Sequence, residues 1–366
     1  MALSDITISF ELRGRPQEPE IHSLLPIMGE ERFGRPTTAG FAPPFEDVEP
    51  LAYPKPLGIS PAGFDLAVGS YIKESDTLVS QLSGHDFLAT EPEYITPGST
   101  HVLQPDKNGR KIYYITTREA LNPRSELEVL VDARSTTGRV GCMCHNVGQL
   151  DTGERILAVQ PYAFPIQVTA DRTCLAQAIV RYKGTNFMEY EELKERKEGL
   201  NLWQDGEDVF DRRLTPNGLI ITLGTKLVYA AKQTNIPIDM DVREKLDSND
   251  FFESIEGNSH FDMEAGRFYL TGTREVIALD NAVGRITREH EFSGTGLWGH
   301  FAGYIQPGFI GPITMECWTN VNRRLKDGET IGLVLFDKVD GRMSNGYSGA
   351  YQDQKVPRLP KMFKSS

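Results

Sequence analysis

Apolar and polar residues alternate singly over long stretches of the chain. Leu127, Val129 and Val131 alternate with Glu126 and Glu128, and the run from Arg267 to Leu279 mixes Phe, Tyr, Thr, Val and Ile around a glycine. A period of two is that of a half-buried strand. The same period places Ile313, Met315 and Cys317 on one strand face and Thr314, Glu316 and Trp318 on the other. One stretch reads differently: Met188 to Gly199 has mixed charge and a closing glycine, which predicts a connector helix whose charge run is a solvated face. Residues 1–50 carry Pro16, Pro19, Pro36, Pro43, Pro44 and Pro50, which predicts an extended arm, of a kind that wraps a neighbouring subunit.

The strand-rich stretches fall into two related sets. Ser60-Pro-Ala-Gly-Phe-Asp-Leu-Ala-Val-Gly69 and Thr215-Pro-Asn-Gly-Leu-Ile-Ile-Thr-Leu-Gly224 hold one Pro and two Gly at the same spacing, 155 residues apart. His145-Asn-Val-Gly-Gln-Leu-Asp-Thr-Gly153 and His300-Phe-Ala-Gly-Tyr-Ile-Gln-Pro-Gly308 match at the same offset. A repeated offset in two places predicts a duplicated unit, hence two small β-barrels or sandwiches. A length of 366 residues accommodates two or three domains, and 34 Gly with 22 Pro suits many short strands joined by turns.

Charge and cysteine content narrow the function. A net charge of -12 is the wrong sign for coating nucleic acid or an anionic membrane, so an anionic ligand must be met by a local arginine cluster. No apolar run approaches the ~18 residues of a membrane span, and the N-terminus lacks a signal-peptide pattern, so a cytoplasmic protein is expected. The four cysteines are too few for a disulfide scaffold. Cys142, Cys144 and His145 could be a metal fragment, but no second ligand pair follows at zinc spacing, and two small core side chains on a strand are the simpler reading. The His-x-Glu and Pro-Cys-x-x-Cys pattern of zinc-dependent nucleobase deaminases, a Walker A loop and a Rossmann fingerprint are all missing.

Three segments carry a resemblance. Ala133-Arg-Ser-Thr-Thr-Gly-Arg139 resembles the Gly-Arg-Ser-Ser-x-Gly-Arg segment of the dCTP deaminase and dUTPase superfamily. Ala302-Gly-Tyr-Ile-Gln-Pro-Gly-Phe-Ile-Gly-Pro-Ile-Thr-Met-Glu316 resembles its Ile-Asp-Pro-Gly-Phe-x-Gly-x-Ile-x-x-Glu signature in the deaminase form, and Tyr351-Gln-Asp-Gln-Lys-Val-Pro357 its closing tail. The resemblance implies a mainly β chain: an arm over 1–50, a first dUTPase-like distorted barrel over 51–187, a helical connector over 188–210, a second barrel over 211–345 and a lid over 346–366. The halves match unequally. At 155 positions beyond Arg134, Ser135 and Arg139 stand Glu289, His290 and Gly294, and 155 before Glu316 stands Pro161. Since family sites lie between barrels, each half is expected to supply one side of a composite site.

What the resemblance implies chemically is deamination of dCTP to dUTP and ammonia, in dTTP precursor synthesis. Glu316 would carry protons, where strand alternation alone would leave it a solvent-facing carboxylate. Ser135 and the Ala302 carbonyl would hold the attacking water without a metal. Arg134, Thr136 and Arg139 would bind the triphosphate, Gln306 the sugar, and Tyr351, Gln354 and Lys355 would form the lid. Mg2+ would accompany the nucleotide, zinc would not be needed, dTTP could act as effector, and a homo-oligomer is expected. Gln306 stands where dUTPases carry a water-activating Asp, and an amide cannot take that proton; Asp151 survives at the matching place in the first half. A dUTPase or bifunctional deaminase-diphosphatase is the alternative within enzymes, and a non-catalytic nucleotide-binding regulator the alternative outside them.

Overall fold

A computed structural model describes residues 2–3, 59–60 and 63–364, except 80, 107–109, 122–126, 185–186, 196, 258, 289–295 and 341–345. The expected arm lies outside the described residues apart from Ala2–Leu3, a short strand between Arg181 on one side and Val339 and Asp340 on the other.

In the first half, six strands close into a ring: β1 (Gly63–Ser75), β2 (Ile112–Ala120), β3 (Leu127–Ala133), β4 (Cys142–Gln149), β5 (Glu154–Pro161) and β6 (Cys174–Tyr182). The ladder runs β1, β2, β5, β4, β3, β6 and back to β1, antiparallel throughout. Between β3 and β4 lies a five-residue helix, α1 (Ser135–Arg139). The second half repeats the pairing with β7 (Gly218–Ala231), β8 (Phe268–Leu279), β9 (Ala282–Arg288), β10 (Ile310–Thr319) and β11 (Thr330–Asp340). One strand differs. The counterpart of β4 is split into Leu297–Gly299, paired with β10, and Tyr304–Ile305, paired with β9. Residues 300–303 form a loop between them.

The 155-residue offset reappears in the strand bounds. Gly63 and Gly218 open β1 and β7, and Leu127 and Ala282 open β3 and β9. The glycines are needed because a carbonyl of the neighbouring strand fills the place of a side chain: a Cβ would lie 2.3 Å from Ala178 O at Gly63 and 2.2 Å from Val334 O at Gly218. A buried carboxylate recurs too. Glu119 Oε2 accepts the Ala67 N–H at 2.6 Å, and Glu275 Oε2 accepts the Thr222 N–H at 2.8 Å. In each half that bond satisfies an amide beside a register shift, where the first strand bulges away from its partner.

Two large cores and two smaller clusters result among the described residues, and one of the large cores crosses the chain's midpoint. Ile313, Met315 and Cys317 face the interior of the second barrel with Leu223, Leu279 and Phe336. Phe268, Leu270 and Trp318, on the other face of the same sheet, pack into the core of the first half. The Trp318 and Tyr162 rings lie 4.8 Å apart and Phe301 is 5.6 Å from Tyr162, contacts of about 0.5–1.5 kcal/mol each. The alternation expected along β10 is present, but its outer face is covered rather than wet, so Glu316 is only 1% exposed.

The connector is shorter than expected. An α-helix over Tyr190–Glu195 (α2) and a 3-10 turn over Lys197–Gly199 give way to strand Leu200–Gln204, which pairs with β8. Leu193 enters the second core while Glu191, Lys194 and Glu195 stay exposed, so one apolar side chain pins a helix otherwise solvated. Cys142 and Cys144 face inward with thiols pushed up by burial, and His145 points outward on the opposite strand face. Among the described residues no three His, Cys, Asp or Glu side chains converge as a metal site, and no helix is long and apolar enough to cross a membrane.

Glu119 links this packing to pH. Burial pushes its carboxyl from 4.5 up to about 7, against the pull of Arg118 and the Ala67 amide. The folded chain therefore holds this proton more tightly than the unfolded chain. The resulting stability is complete below about 4.5 and is lost as pH rises through about 7. Glu119→Gln should abolish this component, so the wild-type advantage in thermal unfolding should shrink steadily across that interval. A pH-independent difference in Tm would contradict the assignment.

Candidate active site

The split strand of the second barrel and α1 of the first meet at one cavity of about 50 Å³. Ser135 and Arg139 line it from the first half; His300, Ala302, Gln306 and Glu316 line it from the second; Tyr351 and Gln354 line it from the C-terminal segment. Both sides of the site thus come from a single chain.

Glu316 enters because β10 carries it on the face turned toward the first half. Its Oε2 accepts the Phe301 N–H at 3.2 Å. Nδ1 of His300 lies 2.9 Å from the same oxygen, close enough for an ion pair but off the hydrogen-bond angle, and neither ring nitrogen has an aligned partner. His300 holds a left-handed φ of 66°, uncommon for a residue with a Cβ, at the point where the strand breaks. Gly138 of α1 presses directly on the carboxylate: a Cβ there would lie 3.2 Å from Glu316 Cδ and Oε1 and 3.0 Å from the Ala302 methyl. Gly308, at φ 85°, turns the chain from Gln306 into β10.

Arg139 is the cation of the cavity, and it is 4% exposed. Its guanidinium lies 3.4 Å from the Tyr351 ring centroid, and Nη2 donates to Gln354 Oε1 at 3.4 Å. Its Nε and Nη1 are buried without a protein partner. Thr136 Oγ1 and the Tyr351 hydroxyl share a 3.1 Å hydrogen bond. Gln306 donates from Nε2 to Gln177 Oε1 at 3.1 Å, leaving its own Oε1 buried and unpartnered.

Eight of the ten expected site residues thus sit in or against one cavity, and two do not. Arg134 turns away, its Nε 3.0 Å from Asp65 and its Nη1 donating to the Cys174 carbonyl, because extended backbone at the start of α1 aims this side chain at β1 and β6. Lys355 is exposed, since buried positions in the tail recur every third residue, at Tyr351, Gln354, Pro357 and Pro360. The tail, expected as a lid, is docked, with Tyr351, Gln354, Met362 and Phe363 all buried. Asp151 lies exposed in a turn and outside the cavity lining. Sequence reasoning missed His300, Tyr304, Phe309 and Tyr347 as lining residues. His300 had one signal, its place opposite His145 in the repeat; Tyr304 and Phe309 fell inside the Ala302–Glu316 signature, and Tyr347 had no signal.

Known proteins share this fold and part of this sequence. A family model described as dCTP deaminase-like matches residues 191–339. The protein from Sulfurihydrogenibium sp. named "dCTP deaminase, dUMP-forming" is 26% identical over 156 residues, covering 42% of this chain and 85% of its own. A protein of the same name from Coprothermobacter proteolyticus is 29% identical over 165 residues, covering 43% of this chain and 87% of its own. The crystal structure of 2'-deoxycytidine 5'-triphosphate deaminase from Agrobacterium tumefaciens superposes with a TM-score of 0.67 at 18% identity, over 81% of this chain and 93% of that one, so the shared fold extends through both halves. The class defined by the fold is a mainly β, barrel-containing protein with the fold of that deaminase structure. In sequence, residues 191–339 resemble dCTP deaminases.

The contact at Gly138 can be tested directly. Gly138→Ala adds a methyl against both Ala302 and Glu316, whose carboxylate must give by a few tenths of an ångström. We expect turnover to fall at least tenfold with less than about 1.5 kcal/mol lost in unfolding by denaturant, and full activity in that variant would contradict the packing.

Proposed function

We propose that this protein deaminates dCTP, with Glu316 as the proton carrier. The observation that carries the reading is the convergence of a buried carboxylate, the Ser135 and Ala302 positions and a buried arginine at one cavity. Water held by the Ser135 hydroxyl and the Ala302 carbonyl adds to cytosine C4 as Glu316 takes its proton and delivers it to N3. A second transfer through Glu316 carries the proton of the new C4 hydroxyl to the exocyclic amine, C4=O forms as C4–N4 breaks, and ammonia leaves. Every proton in this route passes through one carboxylate, so no protein-bound metal is called for.

Arg139 Nε and Nη1, already buried and unpartnered, suit phosphate oxygens, and Mg2+ enters as part of the nucleotide substrate. A cavity of about 50 Å³ is far below the ~300 Å³ or more of small-molecule sites, so Tyr351 and Gln354 must move off Arg139 as the triphosphate enters. Gln306 Oε1 is free to accept a sugar hydroxyl. We infer further that the halves are copies of one unit, each having kept one side of a shared site.

Two products are in question. We propose dUTP, because the Gln306 amide cannot activate water for attack on phosphorus. The names of the relatives favour dUMP instead, which requires a second hydrolysis releasing pyrophosphate. Ammonia and pyrophosphate should be measured together from dCTP. Ammonia without pyrophosphate is expected; equimolar release would establish dUMP as the product. Glu316→Gln should lower ammonia release by ~10²-fold or more while dCTP binding persists, and near-normal turnover would dismiss the assigned role. Exhaustive chelation followed by Mg2+ replenishment should leave activity intact, whereas a requirement for added zinc would overturn the metal-free route.

A further inference from the structure

Asp132 is not itself a residue of the cavity lining, yet it joins the two halves directly behind the site. It lies near the end of β3, three positions before Ser135. Its Oδ1 accepts the N–H of Ala133 at 2.8 Å, and its Oδ2 accepts the N–H of Gly303, in the opposite half, at 2.8 Å. A Cβ on Gly303 would itself lie 2.8 Å from Oδ2, so the approach depends on glycine.

The Gly303 N–H belongs to the same peptide unit as the Ala302 carbonyl. A trans peptide is planar, with N–H and C=O pointing to opposite sides, so anchoring one fixes the direction of the other. A carboxylate accepting that N–H also polarises the amide and strengthens its oxygen as an acceptor. We propose that Asp132 is a positioning residue for deamination, holding the Ala302–Gly303 peptide so that the Ala302 carbonyl faces the attacking water. The inference rests on the reading of Ala302 given above. It also explains how Ser135 and Ala302, from different halves, keep register: one carboxylate is tied to both segments.

The groups facing Asp132 set its charge. Burial pushes the carboxyl up to about 6, against the amides of Gly303 and Ala133, the nearby His300 ring on the site loop and the Arg285 guanidinium on β9. Cys144 on β4 and Tyr304 also face it, and its negative charge raises both. Below about pH 6 the anchor therefore changes from a carboxylate to a neutral acid.

Asparagine has one side-chain acceptor for these two N–H donors, so Asp132→Asn must lose at least one bond. We expect kcat for dCTP to fall about 10- to 100-fold with KM changed less than about threefold. A kcat within twofold of wild type would overturn the proposal. Gly303→Ala, which wedges Oδ2 away while leaving Asp132 in the sequence, should give the same loss, and the double variant should be no worse than either single one; additive losses would count against a shared anchor. A readout independent of activity comes from labelling alanine carbonyls with 13C and glycine with 15N, which isolates Ala–Gly peptides. The Gly303 amide proton should move upfield with a midpoint near pH 6 in the wild type and stay fixed in Asp132→Asn. An amide resonance unaffected by the substitution would refute the anchor even if the wild type failed to deaminate dCTP, so failure of the anchor and failure of the proposed activity can be told apart.

Discussion

Glu316 must be kept out of water without being left alone, and much of the structure near the middle of the chain meets that demand. A carboxylate 1% exposed is costly unless donors surround it. Here the Phe301 amide and the His300 imidazole close on one oxygen, while Gly138 leaves no gap beside the other. Those partners exist only because the second barrel is broken at residues 300–303. An intact strand would have spent the Phe301 and Gly303 amides on its neighbours; the broken one turns them toward Glu316 and Asp132.

The break is held open by the first barrel. Tyr162 packs against Phe301 and Trp318, and Phe301 against Phe268, so the loop rests on an aromatic cluster drawn from both halves. A second contact, of Ile179, Val283, Tyr304 and Val339, lies on the far side of Tyr304, and Arg181 reaches across to Asp337. With apolar contacts on both sides of the loop, the halves cannot slide without exposing one patch or the other. The first half keeps a closed ring, a rigid platform for α1; the second gives up closure where chemistry is assigned.

The tail closes the site through Tyr351 and Gln354, and Gln354 Nε2 also donates to the Pro312 carbonyl and to Thr314 Oγ1. Tyr351 and Gln354 reach Arg139 through one ring contact and one long hydrogen bond. Further on, Phe363 packs among Phe251 and Phe252, so the segment is tethered well beyond the residues that must yield to a nucleotide. That tether would keep the segment on the protein if Tyr351 and Gln354 moved off Arg139.

Much of this was legible in the chain itself. Period-two patterning marked the strands, because side chains of a strand must alternate between faces. The 155-residue offset marked the pairing of the halves, because Gly63 and Gly218 each sit where a neighbouring carbonyl excludes a side chain. The motifs around Ser135 and Glu316 marked the two sides of the site, since their residue types are constrained by close contact. Tertiary structure alone decided the rest. Whether the outer face of β10 met water or another barrel depended on packing between segments far apart in sequence, and with it the burial of Glu316. The direction of Arg134 depended on where Asp65 stands across the sheet. The role of Asp132 was invisible for the same reason: its partner is a backbone amide 171 residues away, and a backbone amide leaves no mark on the sequence.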